Sequence, residues 1–181
     1  DYNYIDSYLV QQSTKNNLVN DFGFSYNLNY KASDRTNFLF GYDFLSNETE
    51  YLLERNTNFE GRGVISSIQK DKGTNNTHSL FTEYIYDTNE WEINSGVRFN
   101  YFDKINKLVV EPRLYLEKKI TSDLNFKASL EQKHQTLGQI IEFQTSRLGF
   151  DLENQIWAQV NKDDIPLQES FQISSGIVYI N

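Results

Sequence analysis

Apolar and polar residues alternate one by one along most of this chain, and a period of two is the spacing of a strand, not of a helix. In 21–30, DFGFSYNLNY, Phe22, Phe24, Tyr26, Leu28 and Tyr30 share one face, while Asp21, Gly23, Ser25, Asn27 and Asn29 share the other. The phase returns with Phe38, Phe40, Tyr42 and Phe44, and again where Trp91, Ile93, Val97, Phe99 and Tyr101 oppose Glu92, Asn94, Gly96, Arg98 and Asn100. Val110, Pro112, Leu114 and Leu116 oppose Glu111, Arg113, Tyr115 and Glu117; Leu124, Phe126, Ala128 and Leu130 oppose Asn125, Lys127, Ser129 and Glu131. The pattern predicts an all-β chain of about eight antiparallel strands, near 2–12, 17–31, 35–46, 78–87, 91–102, 107–118, 123–134 and 169–180. In 2–12 and 78–87 the phase is ambiguous, and their faces stay open.

The connections add a second constraint. Those at 13–16, 32–34, 88–90, 103–106 and 119–122 are short, whereas 47–77 and 135–168 are long and fall at odd places in the order. In an up-and-down meander alternate connections lie at one end, so both long excursions share a rim. Short turns at one rim and long loops at the other are the asymmetry of an outer-membrane β-barrel. A soluble sandwich also alternates, but it loads its wet face with Lys and Glu. Here the polar faces carry Gly23, Gly41, Gly96 and Gly176, as a curved wall with close backbone approach requires. Aromatic residues gather near strand ends: Tyr30, Phe38, Tyr86, Trp91 and Tyr179 at the short-turn rim, and Phe22, Phe44, Tyr101 and Phe102 toward the other, the placement of interfacial girdles.

Composition excludes other classes. With 38% hydrophobic residues, a mean hydropathy of -0.63 and no run near the roughly 18 apolar residues of a spanning helix, a helical membrane protein is excluded. Aromatics at 15%, with 12 Tyr and 13 Phe against 2 Pro, oppose disorder. A net charge of -8 supplies no cationic footprint for nucleic acid. The absence of cysteine rules out disulfides and thiolate metal sites, leaving the compartment open. No methionine and no signal region at Asp1-Tyr2-Asn3-Tyr4 lead us to expect a processed or excised segment.

Sites of chemistry are few. His78 and His134 are the only histidines and lack metal-ligand spacing, so neither a metal site nor a cofactor is expected. GRGVIS at 61–66 lacks the Lys-Ser/Thr pair of a phosphate loop, and the pair Glu111 and Glu117 is not by itself a glycosidase dyad. Glu92, Arg98, Glu111, Arg113, Glu117, Lys127, Glu131 and Lys133 fall on inward faces of successive strands, where mixed charges form ion-pair ladders that keep a lumen polar. His134 stands where a strand runs into the second long loop. With Gln135, Phe143, Arg147 and Trp157 it makes a candidate ligand-binding set able to stack on and hydrogen-bond a small polar ligand. An ordered cap made for its own stability is the plainer alternative. The loop 47–77, with Tyr51, Arg55, Phe59, Arg62 and the Lys70 to Lys72 cluster, is similar but less aromatic.

The run GVRFNYFDKINKLVVEPRLYLEKKITSDLNFKASLEQKHQ, 96–135, resembles the barrel of TonB-dependent outer-membrane receptors in the form common in the Bacteroidetes phylum. The matching pieces are Gly96, Arg98 and Tyr101; Glu111, Pro112 and Arg113; the turn Thr121-Ser122-Asp123; and the strand 124–134. THSLFTEYIYDTNEWEINSGVRF before it, and IWAQVNKDDIPLQES after it, resemble flanking parts of the same barrel. The resemblance implies a portion of the wall of a non-enzymatic, ligand-gated transporter in a bacterial outer membrane. Such a receptor imports a scarce solute: an iron chelate, cobalamin, a glycan or a peptide. The implied partners are the rest of the barrel and a plug, TonB acting through that plug, a surface lipoprotein, the ligand and outer-membrane lipid. No plug domain or energy-coupling box is found in these residues, and such receptors close with about 22 strands. A self-contained small barrel serving as adhesin or envelope scaffold is therefore the alternative, and a membrane enzyme using His134 comes third.

Overall fold

Side chains that alternate in character favour strands because a pleated sheet sends successive residues to opposite faces. The structure, a computed structural model, describes residues 2–6, 9–59, 63–145, 151–161 and 165–179, and among these it is all-β with no helix. The strands are β1 (Tyr2–Asp6), β2 (Leu9–Lys31), β3 (Thr36–Phe59), β4 (Gly63–Asp87), β5 (Trp91–Phe102), β6 (Lys107–Lys119), β7 (Leu124–Gln135), β8 (Leu137–Thr145), β9 (Asp151–Gln159) and β10 (Gln168–Tyr179). One antiparallel sheet runs β1-β2-β3-β4-β5-β6-β7-β10, and β8 pairs with β9 in a separate hairpin. Among the described residues no pairing joins β1 to β10, so these strands by themselves close no barrel.

Three expectations need correction. The stretch 47–77 is not a loop, because β3 and β4 continue through most of it; residues 60–62 between them, with the expected Arg62, lie outside the described residues. The stretch 135–168 is not a loop either, since the β8–β9 hairpin occupies its middle. The turn expected at 13–16 is strand: Tyr2 pairs with Ser13 and Asp6 with Leu9, so β1 and β2 are already antiparallel before position 13. Ser13 has turn-like composition, but its pairing with Tyr2 overrides that local preference.

The chain divides into two compact units. Unit 1 comprises Asp1–Asp21, Asn47–Thr74 and Leu137–Gln159. Its strands hold by polar pairing: Lys70 Nζ lies 3.1 Å from Glu50 Oε1, and Lys72 bonds Glu48. That carboxylate, through its hydrogen bond first and its charge second, raises the pKa of the exposed Lys72. The contribution of this pair is therefore complete below about pH 10 and fades as pH rises through the raised value.

Unit 2 comprises Phe22–Ser46, Asn75–Thr136 and Val160–Asn181, and it carries the alternation. Its cross-strand pairs set the faces. Trp91 pairs with Lys118 and Lys118 with Phe126; Ile93 with Leu116 and Leu116 with Ala128; Ser95 with Leu114 and Leu114 with Leu130. Leu80 pairs with Phe99 and Phe99 with Val110, then His78 with Tyr101 and Tyr101 with Leu108. All of these lie on one face, which settles the open phase of 78–87: His78, Leu80, Tyr84 and Tyr86 belong to the apolar side. The face is exposed: Phe24 keeps 53% of its surface, Phe40 44% and Phe99 41%. Buried large apolar side chains are few among the described residues, namely Phe102, Val109 and Val160. Phe102 corrects the expected girdle, because it shares the parity of Asn100, not of Tyr101, and is 3% exposed.

Close approach holds at Gly23, Gly41 and Gly96 but not at Gly176, where a Cβ would meet nothing within 4 Å, so the expectation fails there. A Cβ on Gly41 would stand 2.1 Å from Cζ of Phe81, and one on Gly96 would stand 2.9 Å from the carbonyl of Thr82 and 3.0 Å from Arg113 Nε. Large side chains on the polar face lie across these bare positions. The turn between β5 and β6 depends on Asn106, whose φ of 53° is left-handed; its Oδ1 accepts the Tyr101 hydroxyl at 2.9 Å. Asn106→Val is expected to cost about 1–2 kcal/mol, because a β-branched residue resists that conformation, whereas Asn106→Gly should stay within about 0.5 kcal/mol. Chemical denaturation of the two variants checks the difference.

Candidate functional site

The polar face of unit 2 is where charge collects, and it does so by cross-strand reach. Arg98 on β5 places Nη2 2.8 Å from Asp43 Oδ2 on β3, donates from Nε to Asn100 Oδ1 at 3.0 Å, and rests 5.4 Å from the Phe81 ring centroid. Gly41 leaves the room that this ring fills. Arg113 on β6 crosses Gly96 and donates to Glu83 Oε2 on β4 at 3.0 Å. Glu117 accepts the Tyr115 hydroxyl at 2.6 Å and Asn125 Nδ2 at 2.8 Å, with Lys127 Nζ at 3.0 Å. Glu131 pairs with Lys133 at 2.9 Å on its own strand. Glu92 stands opposite Glu117 in register and accepts Asn94 Nδ2 at 3.3 Å. Across β7 and β10, Ser129 and Ser174 share a hydrogen bond of 2.7 Å.

His134 is placed differently from the expectation of an open ligand contact. Glu111 Oε1 accepts the backbone N–H of His134 at 2.7 Å and stands 3.1 Å from its Nδ1, and the two side chains are 10% and 6% exposed. Glu169 Oε2 lies 4.0 Å from Nε2 on the other side. The ladder between β6 and β7 ends at Arg113 and Glu131, and the carboxylate of Glu111 takes over the next backbone donor. The residue thus locks the end of β7.

The other members of the expected ligand set fall in both units. Gln135 pairs in register with Gln168 in unit 2. Phe143 pairs in register with Glu153, and Trp157 with Gln139, both in the hairpin of unit 1. Trp157 donates its backbone N–H to Asn17 Oδ1 at 3.2 Å and exposes 41% of its surface. Arg147 lies outside the described residues. In unit 1 the hairpin is tied down by Gln159, whose Nε2 donates to the Asn47 carbonyl at 2.7 Å, while Asn47 donates to Asp21 Oδ1 at 2.5 Å. Buried Asn47, Thr49 and Gln159 give this junction the character of an ordered polar cap.

Sequence reasoning placed Tyr115 and Asn125 on the polar faces but passed over the partners Asp43 and Glu83. Asp43 was detectable as the one acid at the polar phase of 38–44, whereas Glu83 was hidden by the open phase of its strand. It also passed over a polar cleft of about 360 Å³ at the short-turn rim, lined by residues that include Lys31, Asp34, Arg35, Asn37 and Asp87. Among the described residues no three potential ligands converge on a metal position. On the polar face Arg98, Arg113, Lys127 and Lys133 each engage a carboxylate. No protein-family model matches this chain, and no curated protein matches it.

Proposed function

We propose that the chain forms part of the wall of an outer-membrane β-barrel, in a TonB-dependent receptor that imports a scarce solute. The carrying observation is the inverted distribution of side chains in unit 2. An apolar face runs over β4, β5, β6, β7 and β10 with Leu80, Phe99, Val110, Leu114, Ile173 and Ile177 exposed, while Asn75, Ser79, Asn100 and Glu111 are buried. A half-exposed aromatic shows on the order of 100 Å², so a handful of them exceeds the largest apolar patch, about 300–600 Å², of a typical soluble monomer. Lipid is the solvent that accepts such a face. The nine-residue stretch Phe22–Tyr30 covers about 30 Å along a strand, which at a tilt near 40° spans about 23 Å, close to the roughly 25 Å apolar band of such barrels.

The free edges of the sheet fit this reading too, since unpaired backbone is not tolerated in hydrocarbon and further strands must satisfy it. The transport role, the plug, TonB, a surface lipoprotein and the absence of covalent chemistry rest on the resemblance of 96–135. Satisfied ion pairs along the polar face fit a conduit lining.

The chain contains no cysteine, so single cysteines report on each face separately. In membrane-embedded protein, Val97→Cys and Leu114→Cys are expected to resist a water-soluble maleimide while Ser129→Cys reacts. Equal labelling of both faces would falsify the wall. For the receptor, the surrounding reading frame is expected to encode a plug and additional strands; a stop codon directly after Asn181 with a signal peptide directly upstream makes it a self-contained small barrel instead.

A further inference from the structure

Five lysines at other positions of the chain, Lys31, Lys70, Lys72, Lys127 and Lys133, hold a carboxylate. Lys118 does not. It sits on the apolar face, paired in register with Trp91 on one side and Phe126 on the other, and its Nζ lies 4.6 Å from the centroid of the Trp91 ring. Along the rows set by β4, β5 and β6, from Trp91 and Lys118 to Tyr101 and Leu108, ionisable groups other than tyrosine occur at the two ends alone: Lys118 at the short-turn rim and His78 at the other. A cation on an apolar face, held on an indole without a counter-charge, is arranged to meet an anion supplied from outside the chain.

We propose that Lys118 and Trp91 form a docking site for the phosphodiester headgroup of an anionic glycerophospholipid in the leaflet around the short-turn rim. The inference rests on the membrane reading above and adds a lipid class and a side to it. Trp91 fixes the ammonium by a cation–π contact and seats its own ring at the headgroup level, and the acyl chains then run along Ile93, Leu116 and Phe126. The short-turn rim of such a barrel faces the periplasm, so the lipid is one of the inner leaflet. A single lysine near the surface favours an anionic headgroup by about fivefold.

The test uses Trp91 as its own reporter. The chain has 2 Trp, so Trp157→Phe leaves Trp91 as the sole indole. The full chain in this background is reconstituted into vesicles of phosphatidylcholine with phosphatidylglycerol, and one lipid at a time is brominated to quench fluorescence. Brominated phosphatidylglycerol is expected to quench Trp91 with about fivefold greater effect per mole than brominated phosphatidylcholine. Lys118→Gln should abolish the preference and Lys118→Arg retain it, with unchanged quenching by phosphatidylcholine showing that the strand is still in place. Equal quenching by the two lipids in the parent chain, or a preference that survives Lys118→Gln, overturns the lipid site and leaves the wall standing. No quenching by either lipid overturns the membrane reading and the site with it.

Discussion

Arginine at position 114 is expected to lower folding stability in a bilayer by about 2–4 kcal/mol, the cost of a guanidinium near mid-height on the lipid side of a barrel. Leu114 lies midway between the two ends of the apolar face, in register with Ser95 and Leu130, and is 42% exposed. For a protein in water the same substitution at so open a position changes stability by no more than about 0.5 kcal/mol. The sign of the solvent is therefore written in one variant. Urea unfolding of vesicle-inserted protein, followed by tryptophan fluorescence, measures it, with Leu114→Ala correcting for lost packing. A difference below about 0.5 kcal/mol in lipid removes the basis for a membrane wall.

The second large effect is expected at Glu111. Its carboxylate holds both the backbone N–H and Nδ1 of His134, in surroundings that are nearly closed to water. Glu111→Ala strands two buried nitrogen groups at once and should cost about 3 kcal/mol, whereas Glu111→Gln retains an acceptor oxygen and should cost about 1 kcal/mol. Unfolding midpoints of the two variants give the comparison. Similar small losses in both would mean that His134 is held by something other than this carboxylate. The pair also separates structure from binding: if His134 were a ligand contact, its replacement would weaken uptake without changing stability.

The legible part of the fold is the part where the two faces differ in polarity. Strands expected at 91–102, 107–118 and 123–134 occur as Trp91–Phe102, Lys107–Lys119 and Leu124–Gln135. Their apolar members lie on one side of the sheet, because a period of two admits a single assignment when one phase is Leu, Val and Phe. The stretch through 47–77 failed the same test although its described residues are strand. Asn47, Thr49 and Glu48 make both phases polar, and pairing there is sustained by charge partners such as Glu50 with Lys70, which no single strand reveals. The hairpin at 137–159 was obscured in another way, since Ile140 and Ile141 adjoin and break the alternation. The candidate site was legible as composition, not as geometry. The charged residues Arg98, Arg113, Glu117 and Lys127 could be placed on the polar phase, but partners two strands away, such as Asp43 for Arg98, depend on the slant of the sheet. His134 read as an open polar terminus because nothing local announces that Glu111, 23 positions earlier, folds onto it.

The shared parity of these strands also bears on how such a wall is put together. Were β6 displaced by a single residue against its neighbours, Glu111, Arg113 and Glu117 would turn outward into oil and Leu114 and Leu116 inward among charges. Each exposed ion then adds a penalty of kcal/mol size, and the penalties accumulate along the strand. In the proposed membrane wall, misaligned insertion intermediates would thereby be rejected by the bilayer itself, and the lipid would act as a proofreader of assembly.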